Sequence, residues 1–289
     1  MIQPTQPPFW RTLLILGRVS NLPTVWSNCL AGWLLSGGGR PQKFWWMTLG
    51  ATLLYTGGMF LNDAFDAAFD AQHRRERPIP SGAIALKTVW RLGLALLGSG
   101  AAILIFQGKT TGMLAVILLI CIILYDAIHK LITFSPVLMA ACRLLLYLVA
   151  ASVGLNGVTG WAIWCGLALA AYIIGLSYLA RKESTRVAFR YWPCLLLATP
   201  ILLALLMNPR EYQRAALLVS AILGLWIIRS LRFTLWNSER NIGRTVSGLL
   251  AGIVLVDLLA AADCTREFSL VFFLLFIAAL LLQRFVPAT

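Results

Sequence analysis

The sequence predicts an all-α fold, a polytopic membrane bundle of nine to ten transmembrane helices. Composition is the first reason: 60% of the residues are hydrophobic and only 12% are charged, against roughly 25% charged in a soluble domain. The second is how the apolar residues are arranged. They gather into runs long enough to cross a hydrocarbon core of about 30 Å, which takes roughly 20 helical residues. The third is the backbone requirement of lipid, which only helices and closed barrels meet. The strict apolar–polar alternation of barrel strands is absent, so the runs are helices.

Charge-free stretches and their breakers place spans at 18–36, 44–65, 88–106, 111–128, 135–154, 159–180, 192–208, 213–231, 243–262 and 268–285. Residues 144–180 hold no charge, and Asn156-Gly157 with Thr159-Gly160 mark the turn that divides them. No polar linker interrupts the chain, so 1–289 reads as a single membrane domain. The opening residues lack the charged region and small-residue cleavage site of a signal peptide. Phe9 and Trp10 beside Arg11 and Arg18 read instead as an interfacial entry to the first span. The six cysteines form no C-x-x-C pair, and five lie in apolar runs. Buried single thiols behave as small hydrophobes, so neither disulfides nor a thiolate metal site is expected. Most of the eleven tryptophans cluster near span ends, as in an aromatic belt.

Lysine and arginine give the orientation. With the N-terminus cytoplasmic, seventeen of the 24 basic residues fall on the inside. Six (Arg40, Lys43, Lys109, Arg210, Arg214, Arg266) fall outside, and Arg143 sits within a span. The expected location is therefore a bacterial-type inner membrane, with the N-terminus and the site loops cytoplasmic. The same sorting accounts for the net charge of +13 without nucleic acid as a partner.

Three of the eleven acids crowd into eight positions at the end of the second span, as Asn62-Asp63-x-x-Asp66-x-x-x-Asp70. At about 100° per residue, Asn62, Asp66 and Asp70 advance by about 40° per step and share one helical face. Asp63 adds a like charge at i,i+3 from Asp66. Such repulsion destabilises a helix, and intramembrane acids point to function. A divalent cation removes the repulsion, and carboxylate and amide oxygens suit Mg²⁺, which takes further ligands from substrate phosphates. The following loop brings Arg74, Arg75 and Arg77. Arginine binds phosphate oxygens in bidentate fashion, so metal and arginine together outline a diphosphate site. The bland alternative is a solvated acidic helix end paired with those arginines.

This cluster, followed by Arg77-Pro78-Ile79-Pro80-Ser81-Gly82, resembles the first signature of the UbiA-type intramembrane prenyltransferases of the 4-hydroxybenzoate polyprenyltransferase kind. The likeness extends to helix count, loop placement and the entry segment Arg18-x-x-Asn21-x-Pro23. It implies a bundle around a central cavity that opens to lipid. It also implies Mg²⁺-dependent transfer from a prenyl diphosphate donor to an aromatic or other lipophilic acceptor, with membrane lipid around both. By this matching Asn62, Asp66 and Asp70 are metal and diphosphate ligands, with Asp63 beside them in the catalytic group. The family's second aspartate motif has no full counterpart. The loop after the sixth span holds Arg181, Lys182 and Glu183. Either Glu183 is a second metal ligand, or Arg181 and Lys182 carry part of the diphosphate charge, or the loop is merely a basic inside loop. Tyr178-Leu-Ala-Arg-Lys-Glu and Ser135-Pro136-x-Leu-Met139-x-x-Cys142-Arg143 resemble the EboC-like branch of the superfamily.

Other candidates complete the picture. Lys130 is either a phosphate cation or a snorkelling helix-end lysine. Asp126 orients Lys130 or takes the acceptor's proton. Arg143, an arginine within a span, needs a diphosphate or a buried acid as partner, and Asp257 in the ninth span is one such acid. Arg18, Asn21 and Asn28 line one side of the first span and either reach a substrate headgroup or join helices. His73 and His129 are too isolated for a zinc site. Two rival functions stay open on sequence: a transporter whose acids bind a coupling ion, and a UbiA-type cyclase that uses no acceptor. The first lacks the internal repeats of that class.

Overall fold

A computed structural model describes residues 8–181, 192–207, 213–236 and 241–287. Thirteen α-helices are present among these residues: α1 (Phe9–Leu16), α2 (Leu22–Leu34), α3 (Pro41–Phe65), α4 (Ala67–His73), α5 (Leu86–Phe106), α6 (Lys109–Ile128), α7 (Ser135–Ser152), α8 (Gly160–Arg181), α9 (Trp192–Leu197), α10 (Thr199–Met207), α11 (Gln213–Leu235), α12 (Ile242–Ala260) and α13 (Arg266–Leu282). Six of them (α5, α6, α7, α8, α11 and α12) are long and apolar enough to cross a membrane. The protein is an integral membrane protein. Every expected span has a helical counterpart, but six is the number that length and composition support, and the count of nine to ten rests on shorter or more polar helices.

Two spans differ from the expected continuous helices, and each difference has a local cause. The first, expected from residue 18, starts as an α-helix only at Leu22, because the backbone at Arg18 is left-handed (φ 43°) and separates it from α1. A 3₁₀ turn over Val19–Asn21 follows, and α2 then starts with Pro23 in its first turn, where the missing N–H costs nothing. The second break, at Ala198, separates α9 from α10. Pro200 stands just after it and cannot donate to the preceding turn. The turn foreseen after α7 is present: Gly157 takes φ +63°, and Leu155 and Asn156 donate backbone hydrogen bonds to Gly38 and Ser36 at 2.8 and 2.9 Å.

Burial separates the helices by role. α2 is buried along almost its whole length, and α8 and α12 are two-thirds buried. α5 and α6 are only about a third buried and carry exposed bulky apolar side chains such as Phe106, Ile120 and Leu94, as lipid contact requires. The inner helices meet through small residues, since lipid provides no hydrophobic drive to associate and close packing must do the work. A Cβ placed on Gly57 of α3 would come within 2.9 Å of the Gly93 carbonyl of α5, and one on Gly100 within 2.8 Å of the Gly50 carbonyl. On the other side of the bundle, a Cβ on Gly32 of α2 would meet the Tyr147 carbonyl of α7 at 2.5 Å. These contacts hold α3, and the acids at its end, in a fixed position against α5.

Gly57→Leu is expected to force α3 and α5 apart and destabilise the protein by about 1–3 kcal/mol, the usual cost of overpacking. Thermal unfolding in detergent checks this, with Gly98→Leu, where a side chain meets open space, as the tolerated control.

Candidate active site

The end of α3, the short α4, the end of α6 and the kink before α2 converge on one polar centre. α3 stops at Phe65, but the phase carries through: Asp66 N donates to Asn62 O at 3.0 Å and Asp70 N to Asp66 O at 2.9 Å. The helical repeat therefore crosses the junction, and the one-face spacing of Asn62, Asp66 and Asp70 survives the break. Asn62, Asp63 and Asp70 are buried, and Asp66 is nearly so.

Two of the acids, Asp63 and Asp66, meet cations from other elements. Arg18 Nη2 donates to Asn62 Oδ1 at 3.2 Å and to Asp63 Oδ1 at 3.3 Å. Arg77 Nη1 lies 3.6 Å from the same Asp63 oxygen. Lys130 Nζ is 2.7 Å from Asp66 Oδ1 and sits 3.8 Å over the Phe69 ring, while His129 Nε2 is 3.5 Å from Asp66 Oδ2. Asn62 Nδ2 donates to Asp126 Oδ1 at 3.1 Å, tying α3 to α6. The left-handed backbone of Arg18, costly for a residue with a Cβ, aims its guanidinium at the end of α3.

Burial pushes the Asp66 carboxyl up, but the hydrogen bonds and charges of His129 and Lys130 outweigh it and hold this acid below the usual carboxylate range. Asp70 goes the other way. Burial raises it, and Asp66 adds repulsion that Arg77, Lys130 and Arg74 only partly relieve.

Of the site residues expected from sequence, this centre unites Asn62, Asp63, Asp66, Asp70, Asp126, Arg18, Arg77 and Lys130. Arg143 stands apart, bonded to Asn28 and Thr24. Asn21 lies between, in hydrogen-bond contact with Tyr55. The Arg181 side chain, Lys182 and Glu183 lie outside the described residues. Sequence reasoning missed three participants. His129 was set aside with zinc sites; Phe69 carried no polar signal. Tyr55, seven residues before Asn62, has the helical spacing that puts both on one face.

Among the described residues, no group of three His, Cys, Asp or Glu side chains is close enough to hold a metal ion. Such a group is not needed for Mg²⁺, which binds through one or two carboxylates and completes its shell with water and phosphate. The residues present fit that mode: Asp70 Oδ1, one helical turn from Asp66, is buried and has no hydrogen-bond partner. Buried acceptors without partners are costly, and a hard cation would satisfy them.

The chain matches the UbiA prenyltransferase family over residues 22–244. It belongs to that family. Curated relatives include two archaeal proteins called digeranylgeranylglyceryl phosphate synthase. That of Metallosphaera sedula is 29% identical over 114 residues, 39% of this chain and 40% of the relative. That of Methanoregula boonei is 32% identical over 134 residues, 45% of each chain. The chain thus matches less than half the length of these relatives. Two solved structures share the fold. A UbiA homologue from Aeropyrum pernix K1 superposes with a TM-score of 0.64 at 16% identity, covering 86% of this chain and 98% of that one. A digeranylgeranylglyceryl phosphate synthase structure gives 0.59 at 18%, covering 94% and 99%.

A carboxylate held below its ordinary range stabilises the fold above that range and loses the contribution as the pH falls through its lowered value. Asp66→Asn in metal-free buffer should therefore lower the melting temperature at pH 7, and the gap to the unsubstituted protein should narrow as the pH drops toward 3. A gap that stays constant with pH would refute the pairing with Lys130 and His129.

Proposed function

We propose that this protein is an intramembrane prenyltransferase that moves a prenyl group from a prenyl diphosphate to an aromatic or other small lipophilic acceptor, with Mg²⁺ bound at the acidic cluster. The observation that carries this reading is the convergence of Arg18, Arg77 and Lys130 on Asn62, Asp63 and Asp66, at one end of a bundle whose outer surface is apolar. Cations and acids in one place suit a ligand that is itself anionic and carries a metal. The orientation assigned from basic residues puts this end, the N-terminus and the site loops on the cytoplasmic side of an inner membrane. There a soluble diphosphate headgroup and a lipid-borne tail meet.

Bound Mg²⁺ would supply positive charge to the diphosphate as its bond to the prenyl carbon weakens. Arg18, Arg77 and Lys130 release their acids in part and bind phosphate oxygens, stabilising the same developing charge. Asn62, Asp66 and Asp70 would hold the metal, with Asp63 keeping the two arginines in place. The C1–O bond of the donor breaks, the diphosphate leaves with the electron pair, and the acceptor forms the new bond at C1. The acceptor's proton passes to Asp126, whose Oδ2 is buried and free of partners. Water must be kept out while the allylic cation exists, and the apolar helices around the site provide that exclusion. Arg181, at the end of α8, and Lys182 and Glu183, which follow it in sequence, are the further candidates for the diphosphate and the second metal ligand.

Asp66→Asn and Asp70→Asn should each reduce Mg²⁺-dependent diphosphate release by about a hundredfold or more, the scale of losing one electrostatic stabiliser of a transition state. The assay gives the purified protein Mg²⁺, prenyl diphosphates of several lengths and a panel of acceptors, with products read by mass spectrometry. Absence of metal-dependent diphosphate release from every donor would end this reading. Products formed from the donor alone would convert it into cyclisation.

A further inference from the structure

A second polar centre lies inside the bundle, where α2, α3, α7 and α12 meet. Arg143 Nη1 donates to Asn28 Oδ1 at 2.7 Å and Nη2 to Thr24 Oγ1 at 3.0 Å. Asn28 turns its other face to Asp257: Nδ2 donates to Asp257 Oδ2 at 2.7 Å, and Ser27 Oγ donates to the same oxygen at 2.5 Å. The Thr24 hydroxyl donates its own hydrogen bond to the Asn21 backbone carbonyl at 2.7 Å. A neutral amide thus stands between a partly buried cation and a buried carboxylate.

That arrangement is a poor way to build a merely structural ion pair. Charges within a membrane span are tolerated when they pair directly and all their donors and acceptors are met. Here Asp257 is fully buried and its Oδ1 has no partner. Tyr147, one turn beyond Arg143 on α7, is also fully buried, its hydroxyl has no partner, and it lies within electrostatic reach of Asp257. The guanidinium has five N–H groups, more than the bonds to Asn28 and Thr24 use. The side chain keeps accessible surface although helices surround it. Spare donors and a spare carboxylate oxygen therefore occur together in a medium that penalises both.

The charges decide what kind of group the spare donors and the spare oxygen would take. Arg143 and Asp257 sum to zero, so an anionic headgroup would leave an unbalanced charge in the low-dielectric interior. A neutral group with an acceptor oxygen and a hydroxyl matches both spare functions. We propose that Arg143, Asn28, Asp257 and Tyr147 form the headgroup subsite for the acceptor, and that this headgroup is uncharged and bears a hydroxyl. Its oxygen accepts from Arg143, and its O–H donates to Asp257 Oδ1. The inference rests on the reading of the protein as an acceptor-using prenyltransferase. Tyr55 connects the two centres: Arg143 lies 5.7 Å over its ring, and Arg18 is within electrostatic reach of the same side chain.

The test uses the full-length protein in lipid nanodiscs and calorimetric titration, with partition into empty nanodiscs subtracted. Three probes share one tail: 4-decylphenol (donor and acceptor), 4-decylanisole (acceptor only) and decyl phosphate (anionic). The phenol should bind saturably and about tenfold or more tighter than the anisole, the scale of one hydrogen bond to a charged group, and tighter than the phosphate. Asp257→Asn should erase the preference for phenol over anisole, and Arg143→Gln should weaken both, while Mg²⁺–pyrophosphate titration continues to report an intact donor site. Equal binding of phenol and anisole by the unsubstituted protein, or tighter binding of decyl phosphate, overturns the proposal without any variant. So does an Asp257→Asn protein that keeps the preference. Failure of the unsubstituted protein to bind Mg²⁺–pyrophosphate would instead strike the donor reading, and the two failures are separable.

Discussion

The guanidinium of Arg18 is the contact on which the arrangement of the acidic end depends. Lipid gives a buried acid no water to turn to, so the three carboxylates and one amide gathered near the end of α3 need cations from elsewhere in the chain. Arg18 reaches Asn62 and Asp63 from the kink that precedes α2, and its left-handed backbone is the strain that this reach requires. Lys130 and His129 do the same for Asp66 from the end of α6. With Asn62 also bound to Asp126, four separate segments are locked together by charge at a place where apolar packing alone could not choose among registers. The close α3–α5 contact through Gly57, Gly93 and Gly100 then fixes the depth at which the acids sit.

The fold class was legible because lipid imposes it. Charge-free runs of about 20 residues can only be helices, and the breakers between them mark the turns. The acids were legible because their spacing is a helical spacing, and local periodicity is what a sequence displays directly. What escaped was non-local. Asn28 is 115 residues from Arg143 and 229 from Asp257, and no periodicity links residues on different helices. His129 was read by the company it keeps in sequence and found isolated, whereas its partner Asp66 comes from another helix end. The break at Ala198 could have been read from Pro200, and the kink at Arg18 could not, since an arginine in the left-handed region has no sequence signature.

The second centre follows the same rule as the first, but with the opposite charge balance. Around α3 and α4, acids and cations are numerous, the carboxylates keep unpaired oxygens, and the whole is suited to a ligand that brings strong charge of its own. Around Arg143 one cation and one anion cancel, separated by an amide that prevents them from meeting. A direct contact would have made a tighter structural pair. The inserted amide holds both groups in place and leaves each with capacity to spare.

On the proposed reading, that contrast bears on how two substrates would be kept apart. A diphosphate is stable only where several positive charges and a metal compensate it, so the interior centre, with a net charge of zero, repels it by the cost of desolvation. A neutral hydroxylated headgroup gains nothing from the crowded acids and cations, which already bind one another. Each ligand therefore has one site where its polar atoms are matched and one where they are not, and specificity arises from the mismatch as much as from the match. Tyr55 sits between the two, near both Arg18 and Arg143, so the centres are joined by one aromatic side chain rather than by a shared charge.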